Sequence, residues 1–171
     1  VVTFWKLNHH KMKNLYSCLF LVLMIALLPI FGCNQMAEEN TTIMTRLIEE
    51  GWNNKDFDVV NELCSSNYVQ STNGVKSKNQ GPDVIIEGIK ANENAYPDFK
   101  IIINDVFATD DKVVLRWSFI GTSANFNKSV NNPGTMICQI EDGKLVEGWQ
   151  SLDYLNLYQT LGFKLTSPEA S

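Results

Sequence analysis

The sequence predicts an α+β domain, with helices in its first half packed on one side of a curved antiparallel sheet formed by its second half. Three observations carry this reading. Apolar residues recur at helical spacing between Ile43 and Tyr96, and the period becomes strand-like from Phe99 onward. Glu141-Asp142-Gly143 then interrupts the alternating region as a tight hairpin turn, with Gly143 supplying the positive φ that such turns need.

Ahead of this domain lies a segment that reads as a targeting signal. Met12-Lys13-Asn14 is a plausible start with a short positive region, and the apolar run Leu19 to Phe31 follows it, broken by Pro29. A helix needs about twenty residues to cross a bilayer core, so this run is too short for a span but suits a signal peptide. It ends at Ile30-Phe31-Gly32-Cys33, which resembles a bacterial lipobox and makes Cys33 the expected lipidated residue. An ordinary secretory signal cut nearby, or an uncleaved anchor, is the alternative. The expected organisation is therefore upstream residues and signal over 1–32, a tether over 33–40, the domain over 41–165 and a tail over 166–171, as a membrane-anchored lipoprotein of the bacterial cell envelope, on the periplasmic or outer-membrane side.

Within the domain, Thr41 or Thr42 is placed to cap a first helix in which Ile43, Met44, Leu47, Ile48 and Trp52 share a face. Asp56 is placed to cap a second, short helix with Phe57, Val60, Leu63 and Cys64 on one side. Tyr68-Val69-Gln70 reads as a short extended piece. Ser71 to Pro82 is polar and reads as a loop, able to act as a lid if it borders a pocket. A third helix is expected from Asp83 to Tyr96, ended by Pro97.

Phe99 to Thr109 is rich in Ile and Val, Asp110-Asp111 makes a turn, and Lys112 to Thr122 sets Val113, Leu115, Trp117 and Phe119 on one face. A polar loop from Ser123 to Pro133 leads to a strand from Gly134 to Ile140. Lys144 to Asp153 returns antiparallel, and Tyr154 to Leu161 reads as a closing helical turn. Strict alternation would put Leu145, Glu147, Trp149, Ser151 and Asp153 on one face of the last strand.

Composition narrows the chemistry. The chain has 14 Lys+Arg against 19 Asp+Glu, a net of -5, and losing Lys6, Lys11 and Lys13 with the signal leaves 11 against 19, or -8. Such an acidic surface is repelled by phosphate backbones, which argues against nucleic acid as a partner. Both histidines, His9 and His10, precede the apolar run. Without histidine, a CxxC pair or clustered carboxylates, the domain has little from which to build a zinc or iron site, and no metal is expected. Cys64 and Cys138 are either two small buried hydrophobes or a disulfide pair.

The strings Gly51-Trp52-Asn53-Asn54-Lys55-Asp56-Phe57-Asp58, Tyr96-Pro97-Asp98-Phe99, Asp111 to Trp117, Ile140 to Glu147 and Trp149-Gln150-Ser151-Leu152-Asp153 resemble, in this order and spacing, the SnoaL-like polyketide cyclase or ester cyclase family. The resemblance covers Thr41 to Phe163. It implies the cone-shaped fold of the nuclear-transport-factor-2-like superfamily, a sheet bent around a long helix with an apolar pocket, usually as a homodimer. It also implies a cofactor-free intramolecular aldol reaction in which the residue matching Asp153 is the acid/base. A carboxylate in an apolar pocket is poorly solvated, and its pKa rises toward neutrality.

Two readings of Asp153 therefore stand side by side. It is catalytic if its carboxyl faces the pocket, and a helix cap if that carboxyl bonds the backbone N–H of Leu155 or Asn156. Trp117, Phe119 and Trp149 are candidate pocket walls or plain core, and Gln139 is a pocket candidate or a cross-strand surface group. Tyr68 and Gln70 are placed to polarise a carbonyl, but Gln70 stands where many family members carry histidine, and an amide cannot shuttle protons. Two function classes follow: an acid/base enzyme acting on a small apolar or polyketide-like molecule, and a non-catalytic lipoprotein that binds or scavenges such a molecule. A structural or assembly domain of the same fold is a third.

Overall fold

The computed structural model describes residues 35–166, and the expected signal, Cys33 and the last five residues lie outside them. The chain divides into two units, Val1–Met36 and Ala37–Ser171, and all that follows concerns the second. Its core runs from Met44 to Leu161, so the unit carries a complete core of its own.

Helix α1 is already helical at residue 35, the first described, and from Leu47 to Asn53 widens into a π-helix whose last turn is closed by the Asn54 N–H on the Glu49 carbonyl at 3.2 Å. The helix thus starts before the expected caps and takes in most of the expected tether. Thr41 and Thr42 cap nothing: their hydroxyls donate back to the carbonyls of Ala37 and Glu38, at 2.8 and 2.9 Å. Helix α2 (Phe57–Leu63) is capped as expected by Asp56, whose carboxylate accepts from the N–H groups of Asp58 and Val59. Helix α3 covers Asp83–Ala95, and α4, Tyr154–Leu161, ends on Gly162 at φ 101°, in the left-handed region open to glycine.

Six strands form one sheet in the order β2-β1-β6-β5-β4-β3: β1 Cys64–Thr72, β2 Val75–Lys76, β3 Lys100–Ala108, β4 Lys112–Thr122, β5 Ser129–Glu141 and β6 Lys144–Leu152. All neighbours are antiparallel except β1 and β6. The inward residues of β4, Val113, Leu115, Trp117 and Phe119, are all buried against the helices, as alternation predicts. Burying side chains of this size contributes about 1.5–3 kcal/mol each.

Two segments expected as loops are partly strand. Ser71 to Pro82 contains a hairpin, because Asn73 and Gly74 both take positive φ, 48° and 82°, and turn Val75 and Lys76 back onto Ser71 and Thr72. Asn-Gly is a strong local signal for that turn. Residues 129–133 extend β5 backward, pairing with β4. Pro133 is tolerated there because β6 stops at the Gly134 and Leu152 pair, leaving β5 with a single neighbour beyond it.

Candidate functional site

A cavity of about 300 Å³ lies between the inner face of the sheet and helices α1 and α3. An aromatic group closes one end. Phe99 stacks on Phe119 at 5.7 Å between ring centroids, while Trp52 and Tyr96 meet them edge-on at 6.4 and 5.1 Å. Trp117 and Phe119 line the cavity, so both expected walls on β4 are in place. The Trp117 ring packs so closely on residue 134 of β5 that a Cβ there would stand 2.4 and 2.5 Å from two of its atoms, a position open only to glycine.

The opposite wall is polar and uncharged. Alternation along β1 points Tyr68, Gln70 and Thr72 inward. The Tyr68 hydroxyl donates to Gln70 Oε1 at 3.0 Å, and Gln70 Nε2 donates to Thr72 Oγ1 at 3.3 Å. Gln150 Nε2, from β6, donates to the same Thr72 oxygen at 2.8 Å. With both acceptor positions of Thr72 occupied, its own proton is left to donate. Asn132, 2% exposed, accepts from Asn156 Nδ2 at 3.0 Å. Asn132 and Gln150 both line the cavity, and among the described residues no enclosed side-chain polar atom lacks a partner.

The ionisable side chains of the whole cavity lining are the phenols of Tyr68, Tyr96 and Tyr154. Burial pushes the Tyr68 phenol well above its ordinary range, and burial likewise raises Tyr96. Both stay neutral. The arrangement can hold a carbonyl or hydroxyl by neutral hydrogen bonds but offers no group that changes protonation near neutral pH. Among the described residues no three of His, Cys, Asp or Glu come together as a metal set.

Asp153 is placed elsewhere. Its side chain is exposed, it does not line the cavity, and its Oδ1 accepts from the Asn156 backbone N–H at 2.9 Å, capping α4. The cap reading is the one this geometry matches. Trp149 and Gln139 also leave the cavity, and one feature accounts for the tryptophan. Across β5 and β6, Gln139 pairs with Glu147 but Ile140 pairs with Leu145, so Val146 is an extra residue that reverses the alternation of β6. Gly148, Gln150 and Leu152 then face inward, while Glu147, Trp149 and Ser151 face outward. Gln139 is on the outer face as well, where its amide donates to Glu141 at 2.8 Å.

Cys64 and Cys138 are free and buried, as small hydrophobes. Burial pushes both thiols up to about 12.

The cavity's mouth lies beside a shallower groove that shares Gln70, Thr72 and Tyr154 with it and is completed by Val75, Lys76 and Ser77 of the β1–β2 hairpin. The segment expected as a lid thus borders the opening, as a short hairpin rather than a loop.

The sequence profile described as SnoaL-like polyketide cyclase matches residues 42–161. No curated protein is similar enough in sequence to match the chain. Among solved structures, a protein of Jannaschia sp. CCS1 assigned as a SnoaL-like polyketide cyclase shares 18% identity over 76% of this chain and 96% of its own, with a TM-score of 0.64. TsrD of Streptomyces laurentii shares 19% over 73% and 96%, with a TM-score of 0.66. An LEH-like epoxide hydrolase of M. tuberculosis shares 14% over 73% and 90%, with a TM-score of 0.61. At these identities the structures speak for the fold alone, while the profile covers the domain from α1 through α4. This chain belongs to the SnoaL-like polyketide cyclase family.

Proposed function

We propose that the domain binds a small, largely apolar molecule carrying a carbonyl or hydroxyl, and holds it without acid/base chemistry. The observation that carries this reading is the cavity wall itself. It is aromatic and aliphatic at one end and lined by the neutral Tyr68, Gln70, Thr72 and Gln150 at the other, while the one candidate acid/base, Asp153, is engaged on a helix N-terminus. Incubating the purified protein with lipophilic extracts and weighing the complex by native mass spectrometry tests it. A retained, unmodified ligand is expected; a ligand returned chemically altered would count against it.

A catalytic reading is favoured by one observation: Leu152 and Tyr154, the neighbours of Asp153, both line the cavity. In that reading the carboxylate leaves the Asn156 N–H and turns inward to act as acid/base in a cofactor-free cyclisation. Turnover that Asp153→Asn abolishes, with binding intact, would establish it.

Lipidation at Cys33 would anchor the domain to a membrane of the bacterial cell envelope, on the periplasmic or outer-membrane side, supported by Ile30-Phe31-Gly32-Cys33 after an apolar run. Loss of fatty-acid labelling in Cys33→Ser checks it. Pairing with a second copy is supported by the outer face of the sheet, where Phe107, Val114, Ile137 and Trp149 stand in register across four strands.

A further inference from the structure

Beside the cavity mouth the surface changes character. Tyr154, Leu155 and Tyr158 of α4, with Phe163, Leu165 and Phe126, are all exposed, from 42% to 82%. Their rings form a continuous group: Tyr154 lies 6.1 Å from Tyr158, Tyr158 5.6 Å from Phe163, and Phe163 5.4 Å from Phe126. Across the mouth the hairpin tip presents Val75, 72% exposed. An apolar surface of this extent has a use, since isolated domains rarely expose one.

Charge identifies the partner. Three segments build this end of the domain: 71–82, 123–135 and 154–166. Together they contain no Asp or Glu and four lysines, Lys76, Lys78, Lys128 and Lys164, in a chain whose net charge is -5. Lys128 also donates to the Leu161 carbonyl at 3.1 Å, fastening 123–135 to the end of α4. The acids that adjoin these segments keep their charge: Asp83 and Asp153 flank them and are exposed, and Glu87 accepts from the Asn79 amide at 2.9 Å, so the lysine excess is carried by the segments themselves. Exposed tyrosine, phenylalanine and leucine ringed by lysines match the chemistry of a bilayer interface, where aromatic rings sit at headgroup depth and lysines meet anionic headgroups.

We propose that the mouth end of the domain, α4 with the β1–β2 hairpin, docks on an anionic lipid surface so that the cavity opens toward the bilayer. The docking stands on the surface alone. Its purpose, exchange of an apolar ligand with the membrane, rests on the binding function proposed above.

Flotation with vesicles tests it, using the self-contained unit Ala37–Ser171 so that the apolar run of the other unit takes no part. A cooperative thermal melt checks that the unit is folded. The wild type is expected to float with phosphatidylcholine vesicles containing phosphatidylglycerol, weakly with phosphatidylcholine alone, and less as salt is raised. Leu155→Asp with Phe163→Asp should reduce flotation at least tenfold, and Lys76→Glu with Lys78→Glu should remove the dependence on anionic lipid. Absence of flotation with either vesicle, or equal flotation of all variants, overturns the proposal. So does a wild type that stays off vesicles because the aromatic patch is buried between two copies, seen as a dimer that Leu155→Asp with Phe163→Asp dissociates. Flotation in a protein that retains no ligand would leave the docking standing and remove the binding function, so the two failures are distinguishable.

Discussion

The Asp153 carboxylate accepts a hydrogen bond from the Asn156 backbone N–H at 2.9 Å, and the Asn156 side chain in turn donates to Asn132 Oδ1 at 3.0 Å. The cap that starts α4 is therefore one residue removed from the polar floor of the cavity. Aspartate and asparagine cap about equally well, and alanine loses about 1 kcal/mol at such a position. Asp153→Ala is expected to lower stability by about that amount and to loosen Asn132, whereas Asp153→Asn should match the wild type in both melting temperature and ligand retention. A chemical-denaturation series on the two variants, run beside native mass spectrometry, reads both effects. Loss of ligand processing in Asp153→Asn at unchanged stability would falsify the purely structural role.

Much of the architecture was legible because local signals agreed with tertiary ones. Asp56 caps α2, Asp142 and Gly143 turn β5 into β6 with positive φ, and the alternation of β4 predicted its buried face correctly. The site was less legible, and the reason is parity. A strand's facing is known from sequence only while its register is unbroken. The extra residue at Val146 reverses β6, so Trp149 was expected inside and Gln150 was missed. Asn132 was missed because the polar run before Gly134 reads as loop, although the inward positions Met136, Cys138 and Ile140, counted backward in twos, lead to it. A bulge leaves no compositional mark comparable to Asn-Gly, whereas the Asn73-Gly74 hairpin was open to sequence reading.

Gln150 should decide how the ligand's polar end is held. The residue lines the cavity and its Nε2 is engaged with Thr72, so Gln150→Leu removes a polar group from the wall and one of the two donors to Thr72. A loss of about 1–3 kcal/mol in ligand binding is expected, roughly five- to 150-fold in affinity, with little change in fold. Titration calorimetry with a retained ligand measures it. An unchanged affinity would place the ligand's polar group elsewhere.

Close approach across the inner face makes two glycines sensitive. A Cβ on Gly148 would stand 2.5 Å from the Tyr68 hydroxyl and 2.6 Å from the Met136 methyl. The methionine end can move, but the phenol is fully buried and tied to Gln70. Gly148→Ala is expected to cost about 1–3 kcal/mol and to displace Tyr68 from the polar wall. Gly134→Ala should act on Trp117 in the same way, visible as a shift in tryptophan fluorescence at unchanged secondary structure.

Alkaline pH should destabilise the domain through its buried acids. Burial holds the Cys64 and Cys138 thiols at about 12 in the fold against 9.0 for an exposed thiol, and it raises the Tyr68 phenol as well. The folded state therefore keeps protons that the unfolded chain releases. For a group whose pKa is raised on folding, the stabilisation is complete below the unfolded pKa and is lost as pH rises toward the folded one. Urea midpoints should hold up to about pH 8 and fall from about pH 9 upward. The double variant Cys64→Ala with Cys138→Ala should show a shallower decline. Both thiols should also resist thiol reagents at pH 8 until the protein is unfolded.

On the sheet's outer face, the row Phe107, Val114, Ile137 and Trp149 has a polar row on either side of it. Asp105 pairs with Arg116 on one flank, and Lys112, Gln139 and Glu147 stand in register on the other. An apolar row with an aromatic at each end, bordered by charges of both signs, matches a self-complementary contact: turned end for end, it sets Phe107 of one copy over Trp149 of the other. Ile137→Lys places a charge at the centre of that row, at a position already 43% exposed, so the fold itself should tolerate it. Sedimentation velocity is expected to show the wild type as a dimer and Ile137→Lys as a monomer with an unchanged circular dichroism spectrum. A wild type that remains monomeric at high micromolar concentration would leave the row without a second copy to cover it.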